Sequence, residues 1–268
     1  MIGIVDLSGG FGNHLFQYSF ALNLKKFGVR VYMYNQENKK YFDPKDFGLK
    51  KLNLFYIIIL NFLKKFEGFN KKYKILTSHE IMENKLDFQN LFKDKKVISF
   101  NGYFQDYNSS IENLQFIKNI IFDHLDIENS KANKTLLHVR RSDYVDNNEN
   151  LDLKYYKEAL NYCQKNIKDF RYDIFTDDYE WVIKQDIFKD ANYVENSQNI
   201  LKRNEDDVWD TFGKMLLYDN FIIANSTFSW WAALIKSNNQ SIVIQPEPFF
   251  KAFNNAQLKV PEWTSFER

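Results

Sequence analysis

The residues best suited to chemistry stand in one short stretch, Thr135 to Tyr144, reading TLLHVRRSDY. It opens apolar, with Leu136, Leu137 and Val139, then ends in Arg140, Arg141, Ser142 and Asp143. An apolar strand that runs into a cationic loop is how an open α/β sheet presents a site, because ligands sit outside the carboxyl ends of strands. Strand side chains alternate, so His138 and Arg140 are expected on one face and Val139 and Arg141 on the other. A guanidinium grips phosphate through a two-pronged fork that lysine cannot copy. The pattern suits a phosphate-bearing ligand at Arg140. The structural alternative is a strand end in which Arg141 pairs with Asp143.

Two other loops offer complementary groups. Asn225-Ser226-Thr227-Phe228-Ser229 follows an apolar segment and precedes a helical pattern. Hydroxyls and the unsatisfied N–H groups of a helix start favour anions, so this loop and Arg140 together could hold a diphosphate without metal. The plainer role for Ser226 or Ser229 is a helix N-cap. Asp177-Asp178 ends another apolar segment. It could hold a divalent cation, but Asp177 three residues before Glu180 also reads as a capping pair. A carboxylate could instead accept from guanine, and Asp177, Asp178, Asp206, Asp207 and Asp210 all qualify. No Gly-x-Ser-x-Gly and no His-Glu-x-x-His is present, so hydrolase and zinc-protease chemistry finds no support.

Elements must bring these loops to one edge. The chain opens with a strand at Ile2–Asp6, a glycine turn at 8–13, a helix with Phe16, Phe20, Leu24 and Phe27 at helical spacing, and a strand at Val29–Tyr34. The turn has Gly10 and Gly12, but Leu15 stands where a dinucleotide fingerprint needs its third glycine. It also lacks the Gly-Lys-Ser/Thr ending of a phosphate-binding P-loop. It reads as a close backbone approach to a ligand, with a plain tight turn as the alternative. Val97–Asn101 reads as a strand with Gly102-Tyr103-Phe104-Gln105 as its exit, and a helix spans about 110–121. Tyr103 and Phe104 suit either a sugar face or the core. The second half alternates: strands near 136, 172–175, 192–195, 221–224 and a last one at 242–244, with helices at about 153–166, 178–185, 206–217 and 230–235. That is a parallel sheet wound by helices, whose loops at 140–143, 176–178 and 225–229 should open on the same edge.

Composition sets the bounds. With 268 residues the chain is long for one core and comfortable for two domains. It is 44% hydrophobic and 26% charged, hence globular. A net charge of +1 argues against nucleic acid as a partner. One cysteine, Cys163, leaves no disulfide framework or Cys-based metal site and fits a cytoplasmic setting. The start, MIGIVDLSGG, is unlike a signal peptide. The longest apolar run, Leu54–Leu63, is too short to span a bilayer. It reads as a buried helix, and Lys64, Lys65, Lys71, Lys72 and Lys74 beyond it offer peripheral contact with an anionic membrane surface. The polar stretch Glu128–Lys134 is the candidate boundary, giving domains 1–130 and 131–268.

Four stretches, GGFGNHLFQYSFAL at 9–22, HVRRSDY at 138–144, FTDD at 175–178 and NSTFSWWAAL at 225–234, jointly resemble the bacterial α-1,2-fucosyltransferases of glycosyltransferase family 11. The α-1,6- and protein O-fucosyltransferases are more distantly similar. GYFQ at 102–105 and PEW at 261–263 resemble the family too. The resemblance implies an α/β fold of GT-B type, with two Rossmann-like domains facing a central cleft, the first on the acceptor side, the second binding the GDP-sugar. The C-terminal tail could pack back on the first. It implies GDP-fucose as donor, no cofactor or metal, inversion at the fucose carbon, and transfer to the 2-hydroxyl of a galactose-terminated glycan. By the matched motifs, Arg140 grips the phosphates, His138 faces the guanosine, Asp143 supports that loop or serves as base, Gly12 and Asn13 approach the donor, and Ser226, Thr227 and Phe228 line the diphosphate. Another donor sugar or linkage on the same fold, or a nucleotide-sugar-binding protein without turnover, are the rival readings. Two positions depart from the family pattern: Ser142 replaces a glycine, and His14 a glutamine. Serine there is costlier if φ is positive, and His14 puts a titratable group near the expected acceptor.

Overall fold

The computed structural model describes residues 1–35, 39–53, 56, 58, 73–78, 80, 96–125, 134–194, 205–252 and 256–268. They form two compact units, Met1–Asp123 and His124–Arg268. The stretch proposed as a boundary, 128–134, lies outside the described residues except for Lys134. So does the apolar run at 54–63, apart from Tyr56 and Ile58, which are exposed and not buried as expected. Of the lysines beyond that run only Lys74 is described. Among the described residues no helix is long and apolar enough to cross a membrane.

The first unit holds a parallel sheet of β1 (Ile2–Leu7), β2 (Arg30–Asn35), β3 (Lys50–Lys51), β4 (Tyr73–Thr77) and β5 (Val97–Asn101). Its order is β3-β2-β1-β5-β4. Helix α1 (Phe11–Lys26) joins β1 to β2 and is apolar almost all round, with Leu15, Phe16, Tyr18, Ala21 and Leu24 at zero exposure. Such a helix belongs inside a core. Helix α2 (Tyr107–His124) follows β5. A polar seam joins the two helices: Asn113 donates to Asn23 Oδ1 at 2.7 Å, and Ser19 Oγ to the Ser109 carbonyl at 2.7 Å. Buried amides persist only when paired in this way.

The second unit holds β6 (Thr135–Val139), β7 (Tyr172–Thr176), β8 (Asn192–Tyr193), β9 (Asn220–Ile222), β10 (Val243–Glu247) and β11 (Thr264–Glu267), all parallel. The order is β11-β10-β9-β6-β7-β8. Numbered from β6, that is 3-2-1-4-5-6, the order of a dinucleotide-type sheet. The order reverses between β6 and β9, so the ligand crevice of this unit belongs beside the ends of those two strands. The helices are α3 (Ser142–Asp146), α4 (Leu153–Asn166), α5 (Tyr179–Val182), α6 (Glu205–Met215) and α7 (Thr227–Lys236). Helix α4 starts where Asp152 accepts from the Tyr155 N–H at 3.1 Å, and it buries Tyr155, Tyr156, Ala159 and Cys163 against Leu137, Val139 and Ile174.

Several expectations need correction. Val243–Glu247 is not the last strand; β11 adds beside it. The C-terminal tail therefore completes the second sheet. Helix α5 is one turn long and gives way to a 3₁₀ turn at Asp186–Phe188.

Candidate active site

Strand β6 delivers His138 and Arg140 to the switch point, but to different environments. His138 is buried, and its Nδ1 lies 2.8 Å from Ser229 Oγ at the start of α7. Tyr156 donates to the His138 carbonyl at 3.5 Å. The imidazole thus ties the end of β6 to α7. It faces the protein interior where the motif implied a guanosine. Ser229, expected in the diphosphate lining, is fully buried. Ser226 takes the N-cap position of α7 with no capping bond from its side chain. Thr227 and Phe228 stay partly exposed at that start, and Phe228 packs edge-on against Phe212 at 5.2 Å.

Arg140 lies at the rim with its side chain 14% exposed. It faces two carboxylates: Nη1 is 2.8 Å from Asp177 Oδ2, and Nη2 donates to Asp143 Oδ1 at 2.5 Å. The partners differ in kind. Asp177 has no exposure and Asp143 is half exposed, at 52%. Removing water strengthens an ion pair and makes it costly to break, whereas an exposed pair contributes little. Asp177 is therefore the buried, ionic neighbour of the guanidinium, and Asp143 its exposed, hydrogen-bonded one. Tyr144 lies under the same group, 5.2 Å from ring centroid to Arg140 Cζ. Burial pushes its phenol up to about 12, although the Arg140 charge opposes this.

Arg141 is turned elsewhere. Its Cζ stacks 3.8 Å from the Trp181 ring centroid, and its Nε donates to Asp178 Oδ2 at 3.0 Å. The pairing of Arg141 with Asp143 that the sequence allowed is replaced by Arg140 with Asp143 and Arg141 with Asp178. Asp177 Oδ1 accepts the Arg141 backbone N–H at 2.8 Å. Asp178, not Asp177, caps α5, accepting from the Trp181 N–H at 3.1 Å. Asp177 Oδ1 and the Asp178 carboxylate thus serve backbone and guanidinium donors, partners that a metal ion or a guanine would have to replace. Asp206, Asp207 and Asp210 lie on α6, where Asp210 pairs with Lys214 at 2.7 Å. Ser142 begins α3, and no positive φ occurs there, so the missing glycine costs nothing.

A buried knot supports this rim. The Glu149 carboxylate accepts N–H bonds from Lys251 at 3.0 Å and Ala252 at 2.9 Å, and pairs with Arg268 at 2.6 Å. Asn225 Nδ2 donates to the Glu149 carbonyl at 2.7 Å, and Tyr144 donates to the Asn225 carbonyl at 3.2 Å. Glu149 and Arg268 escaped the sequence reading, and Tyr144 entered it only as the end of its motif. Their partners are up to 119 residues away, and no local spacing announces them.

In the first unit Gly9 has φ +80, and Gly10 caps α1 in extended backbone with open space at its Cβ position. Gly12 is buried in the first turn of α1. Asn13 accepts from Gln105 Nε2 at 2.9 Å. Gln17 joins the two loops, taking the Ser8 N–H at 3.2 Å and donating to the Gly102 carbonyl at 2.8 Å. A polar residue on the apolar helix α1 was the available signal for it. His14 is buried against Tyr41, ring centroids 5.1 Å apart, and so is removed from the surface where an acceptor was expected.

The family profile described as glycosyl transferase family 11 matches residues 4–267. The chain belongs to that family. It is a glycosyltransferase, and the two parallel α/β sheets place it in the GT-B class. A relative from Escherichia coli, alpha-1,2-colitosyltransferase, is 27% identical over an alignment 308 positions long, gaps included, covering 100% of this chain and 99% of the relative. The O-antigen biosynthesis glycosyltransferase WbnK, also from Escherichia coli, is 32% identical over 138 residues, 49% of this chain and 44% of the relative. Among solved structures, Arabidopsis thaliana FUT1 in complex with GDP covers 93% of this chain and 71% of its own, with TM-score 0.51 and 11% identity. That likeness concerns the fold.

Proposed function

We propose that this family 11 glycosyltransferase moves fucose from GDP-fucose to the 2-hydroxyl of a terminal galactose on a glycan, with inversion at the anomeric carbon. The observation that carries the reading is Arg140, held at the switch point by buried Asp177 and bonded on its other side to exposed Asp143. An arriving diphosphate displaces Asp143 from Nη2, and the guanidinium then meets the phosphate with its geometry already set. Breaking the sugar–phosphate bond builds negative charge on the leaving diphosphate. Arg140 and the backbone donors at the start of α7 take up that charge, and preorganised donors of this kind need no reorganisation as the reaction proceeds. In this reading Asp143, once released, accepts the proton of the attacking hydroxyl or steadies the loop. No metal enters this scheme, because Asp177 and Asp178 already serve guanidinium groups.

A second donor is favoured by one finding. The relative aligned along its full length is a colitosyltransferase, so colitose activated by the same nucleotide is the competing donor. Mass spectrometry of products from each donor with a panel of galactose-terminated acceptors, with and without a chelator, tests both. The expected result is a fucosylated product whose yield ignores the chelator. Turnover only with colitose would replace the donor, and loss of product with chelator would overturn the metal-free scheme.

A further inference from the structure

The order of the first sheet also reverses, between β1 and β5, so its crevice lies where the exits of those strands meet. Both exits are fixed by unusual backbone: Gly9 at φ +80, Gly102 at φ +133 and Phe104 at φ +52. Phe104 is not a glycine, and left-handed backbone costs such a residue roughly 1–2 kcal/mol. The twist separates two neighbouring rings. Phe104 turns inward and stacks on Phe20, centroids 3.9 Å apart and planes 7° apart. Tyr103 turns outward and is 43% exposed. A Cβ on Gly9 would stand 3.0 Å from Tyr103 Cε1 and 2.5 Å from Asn13 Nδ2, so ring and amide converge on bare backbone. The loop is pinned by Gln17 at Gly102, by Gln105 at Asn13, and by Asp106, whose carboxylate accepts the Ser109 N–H at 2.6 Å. Strain of the kind at Phe104, over-determined by surrounding bonds, clusters at functional sites.

We propose that Tyr103 is the platform of an acceptor subsite, taking the apolar face of a galactopyranose on its ring. The axial 4-hydroxyl of galactose leaves the C–H bonds at carbons 3, 4 and 5 on one face, and a tyrosine ring offers an apolar body for that face. The Asn13 amide beside the ring is a neutral partner for sugar hydroxyls. Tyr103, Asn13 and Gln105 offer uncharged groups to a sugar, and the Lys39 ammonium beside them is bound to the Gly9 carbonyl, donating at 3.1 Å. The assignment rests on the proposed galactose-terminated acceptor and names the residue that selects it.

Saturation-transfer NMR with methyl β-galactoside on the whole chain reads this step without any donor. Protons 3, 4 and 5 are expected to saturate in the unaltered protein and in Tyr103→Phe, and to lose the effect in Tyr103→Ala. In transfer assays Tyr103→Ala should raise acceptor KM roughly tenfold, with GDP affinity by calorimetry unchanged. Equal saturation in Tyr103→Ala and the unaltered chain, or none in the unaltered chain, would overturn the platform. Galactoside binding without transfer from either donor would instead overturn the proposed reaction and leave the platform standing.

Discussion

Arg268 Nη1 lies 2.6 Å from Glu149 Oε2, in a pair of which the guanidinium side chain is only 2% exposed. Burial alone would push the Glu149 carboxyl up, but the N–H groups of Lys251 and Ala252 and the Arg268 charge outweigh it and hold the group below its ordinary value. A depressed folded value means that the unfolded chain binds the proton first as pH falls. The stabilisation is full above the ordinary glutamate range, around pH 4.3, and is lost as pH drops through the lower folded value. Denaturant midpoints measured from about pH 6 to about pH 3 should fall more steeply for the natural chain than for Glu149→Gln. At neutral pH that variant should be less stable by about 3–5 kcal/mol, because it strands a buried guanidinium.

Arg140 has one buried and one exposed carboxylate partner, so its variants separate folding from catalysis. Arg140→Ala leaves Asp177 charged and uncompensated, and should lower the melting temperature markedly. Arg140→Lys keeps the charge but loses the fork, and should fold while transferring roughly 10²–10³ more slowly. Steady-state rates beside a thermal melt check both.

Asp143→Asn removes the exposed partner. Calorimetry should find GDP bound at least as tightly as by the natural chain. The pH–rate profile then decides the carboxylate's second role. Loss of the acid limb with a large fall in rate makes Asp143 the base; an unchanged limb and rate exclude it.

Gly9→Ala should disturb the β1 exit twice over. The φ of +80 is unfavourable to alanine, and the new methyl would meet Asn13 and Tyr103. A loss of roughly 1–2 kcal/mol from backbone alone is expected, read by chemical denaturation, together with a weaker response to galactosides in the NMR titration.

Ser229→Ala should loosen the joint between β6 and α7. It removes the hydroxyl at His138 Nδ1 in a site closed to water. Such an unsatisfied group costs about 1–3 kcal/mol, which a denaturation curve would show.

The frame was legible where a local pattern dictates it. Strand β5 falls on Val97–Asn101 and helix α4 on Leu153–Asn166, as periodicity and the Asp152 cap require. The three loops beside β6 follow from parallel strands sharing one edge. Partner choice was not legible. Which arginine meets Asp143, that Ser229 faces inward, and that Glu149 meets Arg268 are all set by packing between distant segments. Strand β11, four residues at a sheet edge, has too little apolar content to stand out. Helix α3 buries none of its residues, so no periodicity marks it.

Arg140 and Arg141 face Asp143, Asp177 and Asp178, two positive charges against three negative. A distant anion therefore meets no inviting field from this rim, and long-range steering gives it no faster approach. Under the proposed scheme, discrimination is deferred until the nucleotide arrives and Asp143 gives way. Rising ionic strength should then not slow donor capture, since what it screens at this cluster is a net repulsion of the anion, not an attraction.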